Sequence, residues 1–263
     1  MSTVTVTPIG GPTVLIEFEG WRLLTDPTFD PPGRTYKFGW GSSSRKLIGP
    51  AIPASELGPI DAVLLTHDHH ADNLDDSGRA LLSTVPVVVT TTSGARRLGR
   101  VATGLAAWES TRLERDGRPA IEVTATPCRH GPPGSHPIVG DVIGFALRWA
   151  GQTNGQLWIS GDTVVFDDLR RVPKRLDIGT AIVHLGAVKF RITGPLRYTM
   201  DAAQAAELLA GIRATTVVPV HYDGWSHFSE PVEHARDALH GPDEELRSNV
   251  RWPRPGEPLT LIA

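Results

Sequence analysis

Five short apolar runs in this 263-residue chain end on a histidine or an aspartate, and that recurrence constrains the fold more than any other feature. Residues 61–66 run into His67, 121–126 lead to His130, 156–160 to Asp162, 180–183 to His184 and 216–220 to His221. Apolar runs of this length bounded by turn residues read as buried strands. Strands that end on imidazoles and carboxylates imply one polar centre at a sheet edge. Helical patterns fall between them, over 75–83, 93–100, 200–210 and 231–240, with Thr199 or Asp201 capping the third and Gly211 ending it. Residues 4–7, 13–18 and 21–25 alternate with period two and read as a meander. Sheets with interleaved helices make the fold class layered α/β.

The densest stretch is Thr66-His67-Asp68-His69-His70-Ala71-Asp72-Asn73-Leu74-Asp75. If the backbone stays extended past the strand, His67 and His69 project to the same side, as a shared metal requires. Neutral imidazole suits zinc, and a nearby carboxylate completes or orients such a site. The bland alternative is a solvated turn rich in His and Asp. Its weight falls because His130, Asp162 and His221 recur at other strand ends.

In order and spacing these motifs resemble the metallo-β-lactamase superfamily of binuclear metallohydrolases, and within it the UlaG-like, phospholipase-D-like branch. The likeness runs from the meander through Asp26-Pro27, the histidine motif and Gly161-Asp162-Thr163 to His221. It implies a four-layer αββα sandwich formed by residues 1–263 as one domain. It also implies that His67, His69 and His130 hold a first metal, that Asp162 bridges, and that Asp72 and His221 hold a second. The cofactor expected is one or two Zn²⁺, with Mn²⁺ or Fe²⁺ as alternatives. The family motif reads His-x-His-x-Asp-His, whereas here Asp72 comes one residue late and Asn73 stands where the last His belongs. Either Ala71 and Asp72 fill the Asp and His positions, or an insertion within His70-Ala71 keeps Asp72 in its role; we take the insertion. Such a ligand set implies hydrolysis by a metal-bridging hydroxide, with Asp72 and Asp162 in catalytic positions, on a small or lipid-like ester, lactone, amide or phosphodiester.

Other residues carry weaker expectations. His184 could protonate a leaving group. Asp26 could support a ligand through a hydrogen bond, His70 and Asn73 could lie behind the ligands, and Tyr222 and His227 could shape the substrate pocket. Cys128 reads as packing. Residues 26–60 hold six prolines and five glycines with Phe29, Tyr36, Phe38 and Trp40 interspersed, a composition that fits a lid or a homo-oligomer contact better than a spacer.

Charge narrows the function. A formal net charge of -3 removes the global basic excess usual for nucleic-acid partners, so a small-molecule substrate is expected and a nuclease is not. The lone cysteine, the absence of a run long enough to span a membrane and the lack of a leader pattern in residues 1–11 fit the cytoplasm. A redox di-iron member is disfavoured because such proteins carry Glu where His69 stands. A metal-binding relic without activity is the alternative that Asn73 motivates.

Overall fold

Strands buried on both faces sort their side chains by parity, and that sorting builds the layers of this protein. The computed structural model describes residues 2–39, 41–241 and 243–263, so Trp40 of the long loop lies outside the described residues. In chain order the strands are β1 (Thr3–Gly10), β2 (Thr13–Phe18), β3 (Trp21–Thr25), β4 (Thr35–Gly39), β5 (Ser42–Arg45), β6 (Ala62–Leu64), β7 (Val87–Thr91), β8 (Ala102–Leu105), β9 (Ser110–Leu113), β10 (Ile121–Pro127), β11 (Ile143–Trp149), β12 (Gln156–Ile159), β13 (Ile178–His184), β14 (Thr216–Val220) and β15 (Leu259–Ile262). The helices are α1 (Asp76–Leu81), α2 (Thr92–Leu98), α3 (His136–Val139), α4 (Val172–Arg175), α5 (Ala202–Ile212), α6 (Val232–Leu239) and α7 (Glu244–Asn249).

Two sheets form, one in the order β15-β1-β2-β3-β6-β7-β8 and one in the order β14-β13-β12-β11-β10-β9. In the first, Ala62, Leu64 and Val89 face the second sheet, while Val63, Leu65 and Val88 face outward against Leu74 and Leu82. In the second, Ile182, Val218 and Val220 face the first sheet, while Ala181, Val183 and Val217 face the helical layer of Leu208, Leu209 and Leu239. The period-two alternation thus fills three apolar layers from near-continuous apolar runs. The result is the αββα sandwich, and the parallel strands β6, β12, β13 and β14 bring their C-terminal ends to one edge. Among the described residues no helix is long and apolar enough to cross a membrane.

Helix ends differ from expectation in one instructive place. Asp201 caps α5 by accepting from the Gln204 amide, but the helix runs through Gly211 and ends at Arg213, which takes the left-handed conformation at φ 58°. The apolar contact of Ile212 with the helical layer extends the helix past the glycine.

The 26–60 segment is more ordered than its composition implies. β4 and β5 pair as a hairpin, and Tyr36 and Phe38 bury themselves against Trp225. Asp75 anchors the segment from below: its carboxylate accepts from the Phe29, Asp30 and Gly78 amides at 2.9, 2.7 and 2.8 Å, and from Lys46 Nζ at 2.8 Å. Gly78 makes this approach sterically feasible, because a Cβ there would lie 1.8 Å from the Pro27 carbonyl oxygen. Gly78→Ala is expected to cost about 1–3 kcal/mol, the usual range for overpacking against atoms that cannot swing away. Urea denaturation of the two proteins measures it, and an unchanged midpoint would show that the loop yields freely.

Candidate metal centre

Asp26 and His221 lie at the strand ends in the left-handed region, at φ 33° and 57°, a conformation that non-glycine residues adopt only when their surroundings impose it. Both are fully buried at the sheet edge. The Asp26 carboxylate accepts from the Thr66 amide at 2.7 Å and from Thr66 Oγ1 at 3.0 Å, and Thr66 Oγ1 lies 3.0 Å from His67 Nδ1. A hydroxyl that donates to Asp26 must accept from His67, so Nδ1 carries the ring proton and Nε2 presents a bare lone pair. His130 is fixed the same way, Nδ1 donating to the Tyr198 carbonyl at 2.8 Å. His67 Nε2 and His130 Nε2 then both face His70 Nδ1, at 3.3 and 3.1 Å. One Nδ1 proton serves two lone pairs poorly, whereas a shared cation serves all three nitrogens.

Burial keeps these rings neutral. It lowers His67 well below the ordinary imidazole range, His70 to about 4 and His130 to about 3, with the neighbouring rings adding to the effect at His67 and His130.

A second cluster lies beside the first. Asp72, Asp162 and His221 place one donor atom each within 4.8 Å of the others, as His67, His70 and His130 do. His221 Nδ1 is 3.3 Å from Asp162 Oδ1, and its Nε2 is 3.5 Å from Asp72 Oδ2. Burial pushes Asp162 up to about 6 against the pull of His221 and His184. Burial also acts on Asp72, but His221 and His227 hold it well below the usual carboxylate range. His221 is raised to about 9, its burial outweighed by Asp162 and Asp72. Asp72 Oδ1, both oxygens of Asp162 and His221 Nε2 are buried without a hydrogen-bond partner. Orphaned buried donors of this kind cost free energy unless something compensates them, and a divalent cation does so for oxygen and nitrogen alike. The residues present therefore fit a metal pair.

Several expectations change. His69 does not join the cluster; His70 occupies its place. Past Thr66 the chain bends at Asp68, His69 and His70 before the Asn73 and Leu74 amides both donate to the His70 carbonyl, so the spacing of two that aligns side chains on an extended backbone no longer applies. The His69 ring instead lies half-exposed over Gly140, its Nδ1 3.4 Å from Arg97, which itself grips Asp68 through two hydrogen bonds. The extra residue thus precedes His70 rather than following it. Asp162 groups with Asp72 and His221, the two residues expected to share the second metal with it. His184 is fully buried, its Nε2 3.5 Å from Asp26 Oδ2 and its backbone amide bonded to Ser160 Oγ. Tyr222 turns away to pack edge-on against Trp252 rather than shape the site. Asn73 is buried, with Nδ2 3.5 Å from Thr66 Oγ1.

The clusters open into a cavity of about 170 Å³ whose floor includes His70, Asp72 and His130 and whose walls include Phe38, Phe190 and Tyr198. Among the described lining residues there is no Lys or Arg. A larger depression of about 840 Å³ lies elsewhere, between β9, β10 and β11, and holds none of these groups. The wall was illegible in sequence, because Phe38 on β4 and Phe190 in the loop after β13 come from segments that only the tertiary fold brings together.

Known proteins place the chain. Residues 21–222 match the family described as the beta-lactamase superfamily domain. A metal-dependent hydrolase of Methanosphaerula palustris is 27% identical over 205 residues, covering 75% of this chain and 84% of that one. The crystal structure of a possible metal-dependent hydrolase from Veillonella parvula shares the fold at a TM-score of 0.81 and 20% identity, covering 98% of this chain and 99% of that one. An isothiocyanate hydrolase from Delia radicum gut bacteria does so at 0.78 and 18%, covering 98% and 100%. With the αββα layers, the two clusters and a family match over most of its length, this chain belongs to the metallo-β-lactamase superfamily.

Proposed function

We propose that the protein is a metal-dependent hydrolase of small, uncharged, largely apolar esters, lactones or amides. The observation that carries this reading is the pair of buried three-residue clusters at the floor of a cavity with aromatic walls. His67, His70 and His130 would hold one cation, and Asp72, Asp162 and His221 a second; the nitrogen-rich donor set favours Zn²⁺, with Mn²⁺ or Fe²⁺ as alternatives. Bound there, the metals would supply Lewis acidity toward the scissile group and a water acidic enough to attack near neutral pH.

The chain's own residues do the rest. Asp26 and Thr66 hold the His67 tautomer, and the Tyr198 carbonyl holds that of His130. Asp72, which reaches the cavity with Oδ1 unpartnered, accepts a hydrogen bond from the attacking water and orients it. Phe38, Phe190 and Tyr198 exclude bulk water and seat the apolar part of the substrate. The volume is about half the lower bound of drug-sized pockets, which limits the buried part to a handful of non-hydrogen atoms. Among the described lining residues no cation reaches the cavity, Lys189 and Arg191 lining the adjoining depression instead, which disfavours phosphodiesters, groups that ordinarily meet Arg or Lys. The isothiocyanate in the name of one structural relative is likewise a small uncharged electrophile.

The test is a panel of neutral esters, lactones, amides, isothiocyanates and phosphodiesters, run before and after removal of metal with a chelator and again after added ZnCl₂. Hydrolysis of a neutral member that disappears on stripping and returns with zinc is the expected result; turnover by metal-free protein would sink the reading. Phe190→Ala should raise KM for that substrate roughly 10-fold, from about 1.5 kcal/mol of lost apolar contact.

A further inference from the structure

The second cluster offers only three protein donors, and the residue after Asp72, where the family motif carries histidine, is Asn73 with its amide turned to Thr66. An imidazole nonetheless reaches the same carboxylate from elsewhere in the chain. His227 Nε2 lies 3.0 Å from Asp72 Oδ2, close enough to hold that carboxylate's ionisation low, yet Nε2 makes no aligned hydrogen bond. Two buried basic atoms brought this close without a proton shared along their axis have the arrangement of donors converging on one electrophile.

The far side of the ring explains why Nε2 is bare. His227 Nδ1 lies 2.5 Å from Ser44 Oγ on β5, Ser44 Oγ lies 3.2 Å from Ser226 Oγ, and Ser226 Oγ accepts from the Arg45 amide at 2.9 Å. Nδ1–H donating to Ser44, and Ser44 donating to Ser226, satisfies every group in that line. It leaves the Nε2 lone pair pointing inward, as a ligating histidine requires. The ring is clamped between aromatic side chains, stacked on Phe190 at 5.3 Å between centroids and tilted against Phe38 at 5.2 Å. It is also 5% exposed, so it gains nothing from solvent.

We propose that His227 replaces the imidazole missing at Asn73 as the fourth protein donor of the Asp72, Asp162 and His221 site. The inference rests on the metal-site reading above and adds to it a ligand from a loop that the motif does not contain. It also gives the β4–β5 hairpin a role, since Ser44 sets the His227 tautomer. The rival role for His227 is to donate a proton to Asp72 and position it, in which case removing the ring weakens the second metal by roughly 10–100-fold without abolishing it.

Zinc stoichiometry separates the two. The full chain, stripped with chelator, is titrated with ZnCl₂ by calorimetry and its metal content measured by elemental analysis, for the native protein, His227→Phe and Asn73→Ala. His227→Phe keeps an aromatic ring among Phe38 and Phe190 but removes both nitrogens. Expected are two equivalents for the native protein and for Asn73→Ala. His227→Phe should keep the first equivalent and lose the second, an effect larger than the roughly 10–100-fold weakening that follows removal of a residue that only supports a ligand. A second equivalent in His227→Phe that is unchanged or weakened by no more than roughly 100-fold, or its loss in Asn73→Ala alone, overturns the proposal. A native protein that binds a single equivalent also overturns it but leaves the hydrolase reading standing, whereas one that binds no zinc takes both down. Circular dichroism checks the fold, and if His227→Phe fails that check, His227→Gln carries the same comparison.

Discussion

Asp162→Asn is expected to lower kcat/KM by roughly 10³-fold or more while leaving the fold intact. Asp162 follows β12 at zero exposure, and neither carboxylate oxygen has a hydrogen-bond partner. Its negative charge orients His221, 3.3 Å away, and would compensate the charge of a cation held by the second cluster. Charge stabilisation of this kind supplies several kcal/mol, and about 4 kcal/mol corresponds to three orders of magnitude. The same reasoning gives an opposite effect on stability. A buried carboxylate without hydrogen bonds is a cost to the metal-free fold, and the neutral amide lowers it. Under chelating conditions Asp162→Asn should unfold at the same urea concentration as the native protein or at a higher one. Activity within about 10-fold of native, measured on whichever neutral substrate the panel identifies, would refute the role given to this residue.

Lys46→Met should destabilise the protein by about 3 kcal/mol, at the lower end of the roughly 3–5 kcal/mol typical when one partner of a buried ion pair is removed. Lys46 is 2% exposed, its Nζ 2.8 Å from Asp75 Oδ2 and 5.7 Å from the centre of the Trp225 ring. Taking away the ammonium leaves a buried carboxylate whose three amide donors remain, which is why the lower end applies. Because Lys46 ties the hairpin to the start of α1 and to the Trp225 loop, the loss should also loosen the cavity wall at Phe38. Guanidinium unfolding measures the first effect. A loss below about 1 kcal/mol would mean that the amides alone satisfy Asp75. The double variant Lys46→Met/Asp75→Asn should recover part of the loss, since it removes the stranded charge while asparagine still caps α1.

Both predictions depend on residues that differ in how far sequence reveals them. Asp162 stands at the end of a strand that apolar patterning marks plainly, as do His67, His130 and His221. Local chemistry dictates such positions: a run such as 61–66 forms a strand wherever it finds partners, and the residue after the run must leave the sheet at that edge. Lys46 carries no comparable signal. A lysine in a stretch rich in proline, glycine and serine reads as solvated, and only the meeting of β5, Asp75 and Trp225 buries it.

The same division runs through the candidate centre. The strand-end donors, the layered α/β class and the family likeness come from short-range patterns, because alternation and turn chemistry act over a few residues. The choice of His70 over His69 does not, since it hangs on where the backbone after Thr66 stops being extended, and the chain already bends at Asp68 and His69 on its way into the turn that begins at His70. The placement of His227 beside Asp72, the aromatic wall from Phe38 and Phe190, and the burial that shifts the ionisation of His67, His130 and Asp162 all join segments far apart in the chain. Sequence by itself determined which strand ends bring histidine and aspartate to the sheet edge. Tertiary structure alone decided which of those side chains meet, because contact and desolvation depend on distance in space and not along the chain.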